Sequence, residues 1–319
     1  MKRSKLMDFI DICSSISYEV NERIAADGWG ELYRAVYTPH GTDVLLRRFP
    51  SALASDTAAW KLAGAELRAW SRLEHPFIVP VMEWGAVEGE AFLATRMPSG
   101  SRLAELDPLE EAEADAAFSC LLEAMSEAAK WGVLHLGLCP GNVWIDGGTA
   151  AVSDFGLWYV SRDFPGMGTP DELFLAPEQS SSTAVGSPAD VYSLGMVYLV
   201  MRFGVEAARN ASATGLIPEG LGAGEKVIER CLQESPLARY GSVIDLAKAL
   251  SRRPGTGRDS CDPAECPVCA AKARLERAAG EKRVGGPSSS MPRNLVSCAW
   301  FLVVALAVAT LLVWWLALR

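Results

Sequence analysis

Apolar and polar positions divide the chain into stretches of different character. Residues 1–18 form a short lead-in with no clear role. From Tyr18 a strand-rich region begins, in which apolar runs such as Val44-Leu45-Leu46 and Ala91-Phe92-Leu93-Ala94 alternate with polar turns. Residues 57–74 read as a helix. Phe118, Leu121, Leu122, Met125, Ala128 and Ala129 repeat at three and four, the spacing of a core-facing stripe, and predict a helix over 108–131 that starts at Asp107 and Pro108. Between Gly132 and Gly156 two short apolar runs flank a polar turn, and a second turn ends in Asp154-Phe155-Gly156. Residues 252–294 are rich in Arg, Gly, Pro and Ser and read as a linker, with a short helix over 270–279. Leu295 to Leu318 is an uncharged apolar run of 24 residues. As a helix it spans about 36 Å, against a hydrocarbon core of about 30 Å. Trp300, Trp314 and Trp315 lie towards its ends, where indoles favour the membrane interface. A buried core helix is the alternative for this run.

Charge sharpens the division. Residues 1–251 hold 20 basic and 34 acidic side chains, whereas 252–293 hold nine and five. The acidic body argues against nucleic acid as a partner. A basic linker ahead of an apolar span places the body on the cytoplasmic side of a single-pass anchor. Met1-Lys-Arg-Ser-Lys imitates the start of a signal peptide, but Asp8 and Asp11 interrupt the apolar segment that should follow. Most of the eight cysteines stand alone in apolar surroundings, as buried thiols in a reducing compartment do. Cys261, Cys266 and Cys269 cluster in the linker with the spacing of half a zinc site. A structural site wants four ligands and no His follows, so unpaired thiols are the preferred reading and zinc the lesser one.

The stretch 132–156 resembles the catalytic and magnesium loops of a protein kinase. His135, Pro140, Asn142, Asp154, Phe155 and Gly156 stand where that pattern has them. Further landmarks follow the same family order from about residue 19 to 251. Ile24 to Ala35 resembles the glycine-rich loop, with Gly30 kept, Gly28 as a partial substitute, and Ala25 and Asp27 at the other glycine positions. Arg47 falls on the strand lysine, and Glu66 on the helix glutamate that pairs with it. Thr95 falls on the gatekeeper, and Met97 lies beside it at the hinge; Pro98 takes the position of an adenine donor and has no N–H. Glu178 of Ala-Pro-Glu, Asp190 and Arg239 match the structural acid–base landmarks.

The resemblance implies an α+β, two-lobed fold: a lead-in (1–18), a kinase-like domain (19–251), the linker (252–294) and a C-terminal transmembrane helix (295–318). It implies ATP and magnesium as cofactors, with Asn142 and Asp154 as metal ligands. Gly28, Gly30, Arg47, Glu66, Thr95 and Met97 would face the nucleotide. The departures from the pattern fall on the transfer chemistry. Gly137 occupies the catalytic aspartate position, Cys139 the lysine that neutralises the transferring phosphate, and Leu136 the arginine that reads a phosphorylated loop. Loss of a general base typically costs about 10²–10⁴ in rate. The leading expectation is a membrane-tethered pseudokinase that acts on a protein partner as scaffold or allosteric element. The rivals are a weak Ser/Thr kinase with a rearranged site and an anchor that binds no nucleotide.

Overall fold

The computed structural model describes residues 2–251 except 170, 182–184 and 222–223, with side chains from Phe9 onward. The linker, its cysteines Cys261, Cys266 and Cys269, and the apolar run 295–318 lie outside the described residues. Among the described residues no helix is long and apolar enough to cross a membrane.

The first half is built on a five-stranded antiparallel sheet. Its strands are β1 (Tyr18–Asp27), β2 (Gly30–Tyr37), β3 (Thr42–Arg48), β4 (Val81–Val87) and β5 (Glu90–Arg96), in the order β1-β2-β3-β5-β4. The apolar runs of the sequence become the two central strands: Val44, Leu45 and Leu46 of β3 and Ala91 to Ala94 of β5 are all buried. One face is covered by α2 (Ser51–Ser55) and α3 (Thr57–Trp70). Asp56 caps α3 by accepting the N–H groups of Ala58 and Ala59, both at 2.9 Å. Ala59, Ala63, Leu67 and Trp70 form its buried stripe.

The lead-in has a role after all. Lys2–Ser15 is a helix, α1, which lays Phe9 and Cys13 on the other face of the sheet, against Tyr18, Tyr33, Val44, Leu46 and Phe92. Arg48 stacks its guanidinium over the Phe9 ring at 4.8 Å. Without this cover the outward apolar side chains of β2, β3 and β5 would face water.

The second half is helical. It comprises α4 (Glu111–Lys130), a small sheet of β6 (Ser101–Arg102), β7 (Val143–Asp146) and β8 (Thr149–Val152), then α5 (Leu157–Asp163), α6 (Pro177–Ser181), α7 (Ser187–Phe203), α8 (Val205–Thr214), α9 (Glu225–Cys231) and α10 (Val243–Ser251). Helix α7 is buried at every residue from Ala189 to Met201 and is the axis of this half. Helix α4 begins three residues later than its apolar spacing suggests. The N–H of Leu109 donates to Met201 O at 2.7 Å, which pins the chain there in a non-helical course along α7. The two halves meet where Ile78 bridges Val152 and the N–H of Val79 donates to Val152 O at 2.9 Å.

Candidate functional site

The loop between α4 and β7 is held by backbone contacts from a buried acid. Asp190, on α7, accepts the N–H of His135 at 3.0 Å and of Leu136 at 2.7 Å. Burial pushes its carboxyl up to about 6, against the two N–H donors that favour the anion. His135 is fully buried; its Nε2–H donates to Ser153 O at 2.9 Å, and burial holds the ring down to about 4, so it is neutral. Leu136 takes a left-handed conformation (φ 59°) and is 0% exposed, while Gln179 donates to its carbonyl at 2.7 Å. Arg239 is held the same way from below: it forks onto Glu178 at 2.8 and 2.9 Å and donates to the carbonyls of Pro188, Gln233 and Glu234.

Gly137 brings no side chain to this loop. Its carbonyl accepts Asn142 Nδ2–H at 2.8 Å, and Asn142 Oδ1 accepts the N–H of Cys139 at 2.9 Å. The amide of Asn142 is therefore spent on loop geometry at both ends, although its oxygen keeps a lone pair. Cys139 is buried, and burial raises its thiol to about 12, so it supplies no charge where a cation is wanted.

The decisive geometry surrounds Arg47. The side chain leaves β3, is 2% exposed, and bonds with both edges of its guanidinium. One edge, NH1, meets Asp27 Oδ1 and Oδ2 at 2.8 and 3.0 Å. The other edge, Nε and NH2, meets Asp154 Oδ1 and Oδ2 at 3.3 and 3.2 Å. Burial works against this cation, but Asp154 and Asp27 outweigh it and hold the guanidinium above its ordinary range. A planar fork serves two carboxylates at once, which an ammonium point charge does less well. Asp154 also accepts Ser153 Oγ–H at 2.9 Å and sits at φ 68°, an uncommon conformation for a residue with a side chain.

Arg47 does not pair with Glu66 as the sequence pattern implies; its partners are Asp27 and Asp154. Asp27 and Asp154 lie on the two sides of the cleft and together satisfy the fork. Glu66, half-buried on α3, rests over the backbone of Gly156 with its carboxyl raised by burial, and it has no ion-pair partner among the described residues. Asp27, by contrast, faces the Arg47 guanidinium while part of its side chain remains exposed.

The turn between β1 and β2 is closed over this triad. Asp27 pairs with Gly30 across a two-residue tip, and Asp27 Oδ1 accepts the N–H of Trp29 at 2.8 Å. Trp29 is 0% exposed, packed in the main core and 5.8 Å from the Arg47 guanidinium. Gly28 lies directly on the backbone of Thr169, so that a Cβ at Gly28 would overlap the Thr169 carbonyl oxygen. Gly30 stands equally close to the carbonyl of Arg48. The segment after Asp154 thus seals the tip of the hairpin. Thr95 is buried on β5 between Leu45 and Val81, and the N–H of Met97 is donated to Asp43 O at 3.2 Å. Neither the burial of Trp29 nor the seating of Thr169 on Gly28 carries a local sequence signal.

Residues 18–242 match the family model of the protein kinase domain. The chain belongs to the protein kinase family. Among its relatives, the serine/threonine-protein kinase PknH of Mycobacterium tuberculosis is 27% identical over 256 residues, covering 73% of this chain and 41% of that protein. The DNA damage-responsive serine/threonine-protein kinase RqkA of Deinococcus radiodurans is 30% identical over 195 residues, covering 56% of this chain and 29% of that protein. The chain therefore spans less than half the length of these kinases. The crystal structure of the M. tuberculosis PknI kinase domain superposes with a TM-score of 0.59 at 23% identity, over 74% of this chain and 94% of that one, and shows the two-lobed fold. Protein kinases use ATP and magnesium. In this kinase domain, Asp154 and Asn142 are the residues that fit a hard cation by chemistry, but both oxygens of Asp154 face the Arg47 guanidinium.

The seal at the hairpin tip predicts a local effect. Gly28→Ala would force Thr169 off the turn, and limited proteolysis between Phe164 and Phe174 should accelerate severalfold while the bulk of the domain stays folded. Unchanged cleavage would show that the contact does not hold the segment.

Proposed function

We propose that this chain is a pseudokinase: a kinase domain that works by binding a protein partner, with its own cleft closed by the Asp27–Arg47–Asp154 triad. One observation carries the reading. The Arg47 cation on the cleft floor is shared by two carboxylates, which leaves the triad at net charge −1 where a kinase gathers positive charge for phosphates. Gly137 and Cys139 supply neither the substrate-orienting carboxylate nor the phosphate-neutralising cation. Nucleotide has to break the Arg47–Asp154 fork before magnesium can reach Asp154, so Mg-ATP binding is weak.

Millimolar Mg-ATP should raise the melting temperature of the parent by less than about 1 °C, since a ligand stabilises only in proportion to RT ln(1 + [L]/Kd). A shift of several degrees that Asp154→Ala abolishes would instead show a nucleotide-gated protein. Transfer of labelled phosphate to peptides by the parent would establish the rival reading of a weak Ser/Thr kinase.

The tether belongs to the same proposal. The 24-residue apolar run from Leu295 supports a single-pass anchor with the kinase domain on the cytoplasmic side. Full-length protein should sediment with membranes, and truncation after Ser251 should release it. Recovery of the full chain in the soluble fraction without detergent would remove the anchor from the model of function.

A further inference from the structure

Strand β4 ends the five-stranded sheet, and among the described residues nothing pairs with its outer edge. Its neighbour β5 is buried from Ala91 to Thr95, whereas no residue of β4 is buried. The hairpin between them fixes which β4 groups face outward. Glu88 and Gly89 form a two-residue turn with φ of 52° and 82°, so the flanking pair Val87–Glu90 exchanges both of its backbone hydrogen bonds. Alternation then turns the N–H and C=O groups of Val87 and Gly85 towards β5, and those of Ala86 and Trp84 outward. The opposite edge, β1, is blunted: two bulges interrupt it, and Glu19, Glu22 and Arg23 are exposed along it. Strand β4 has one bulge, at its entry beside Met82, and neither lysine nor proline. Its single charge, Glu83, accepts the Tyr18 hydroxyl at 2.9 Å.

We infer that two copies of this chain pair antiparallel through β4, about a two-fold axis at Gly85. In that register Trp84 of one copy lies opposite Ala86 of the other, a large side chain beside a small one, and each such pair exchanges both of its backbone hydrogen bonds. Gly85 meets Gly85 on the axis, where the strands come closest, about 4.5 Å between Cα atoms, and no side chain intrudes. Glu83 lies opposite Val87, so like charges do not face each other. The neighbouring registers are worse. An axis at Trp84 sets the bulge at Met82 against Ala86 and breaks the ladder, and an axis at Ala86 runs Trp84 onto the turn residue Glu88. Pairing consumes β4 in both copies and leaves only the blunted β1 edges, so the assembly closes at the dimer. The inference needs neither the anchor nor the closed cleft.

The test uses the full chain in detergent. Sedimentation equilibrium should show its mass passing from one copy to two as protein concentration rises. Amide hydrogen exchange, resolved to single residues, reads the register. Trp84 and Ala86 should exchange at least about tenfold more slowly in the concentrated sample than in the dilute one, while Gly85 and Val87 are protected in both. Ala86→Pro removes an outward N–H and no bond to β5, and should weaken association at least about tenfold. Two variants at one position guard against mere loss of fold: Val87→Lys, opposite Glu83, should strengthen association severalfold, and Val87→Glu should weaken it severalfold. A chain that stays a single copy at every concentration overturns the inference. So does a dimer in which Trp84 and Ala86 exchange freely, which would be joined elsewhere, or one that the two Val87 variants affect alike.

Discussion

Arg47→Ala should lower the stability of the kinase domain by about 3–5 kcal/mol, the range for removing one partner of a buried ion pair. The melting temperature should fall by roughly 6–20 °C, because about 1 kcal/mol corresponds to 2–4 °C in a domain of this size. The cause is what stays behind. Asp154 is 7% exposed at its side chain and Asp27 25%, and each would lose its cation while remaining near the other. Two further terms add to the loss: Trp29 loses the cation beside its ring, and the left-handed backbone at Asp154 loses part of what holds it. Arg47→Lys should cost less, since an ammonium still neutralises one carboxylate but does not bridge two. Asp27→Ala should cost least, because its partner retains Asp154. Unfolding curves for the three variants measure this order. An Arg47→Ala protein melting within about 2 °C of the parent would show that the triad does not hold the lobes together.

Gly137→Asp alone should leave phosphoryl transfer at background. The returned carboxylate would orient a substrate hydroxyl, yet Arg47 would still occupy Asp154 and exclude the metal from it. Cys139 would still be a neutral thiol. Groups that act as a unit recover little when one is repaired. The combined variant Gly137→Asp, Cys139→Lys, Arg47→Lys should exceed the single variant by at least about 100-fold, the lower range of what a positioned acid–base group contributes. Adding Asp27→Gly should help further. The ammonium introduced by Arg47→Lys would then be free to turn to Glu66, which stands on α3 without an ion-pair partner among the described residues. Labelled-phosphate transfer to a generic peptide measures all four proteins. Robust transfer by the parent or by Gly137→Asp alone would mean that catalysis runs through a rearranged site.

Much of the frame was legible because local pattern encodes it. The buried runs of β3 and β5, the stripe of α4 and the ordered landmarks from Gly28 to Arg239 are each visible within a short window. The triad was not. Arg47 lies 20 residues from one partner and 107 from the other, and the choice between Asp154 and Glu66 is made by where the hairpin tip closes. The purpose of the lead-in is hidden for a related reason: Phe9 and Cys13 are two apolar positions among several, with Ile10, Ile12 and Ile16 close by, and only the otherwise bare face of the sheet singles them out. The start of α4 is moved by one tertiary bond, from Leu109 to Met201, that overrides the helical periodicity.

The Arg47 fork has a mechanical consequence. Asp27 and Arg47 belong to the sheet half, and Asp154 follows β8 of the helical half, so the fork acts as a strut across a joint that in an enzyme must swing at each turnover. With the strut in place, distances between points on the two halves become constants of the molecule. A partner that grips both halves would then read the domain as a ruler of fixed length, recognising it by separation rather than by the stage of a cycle.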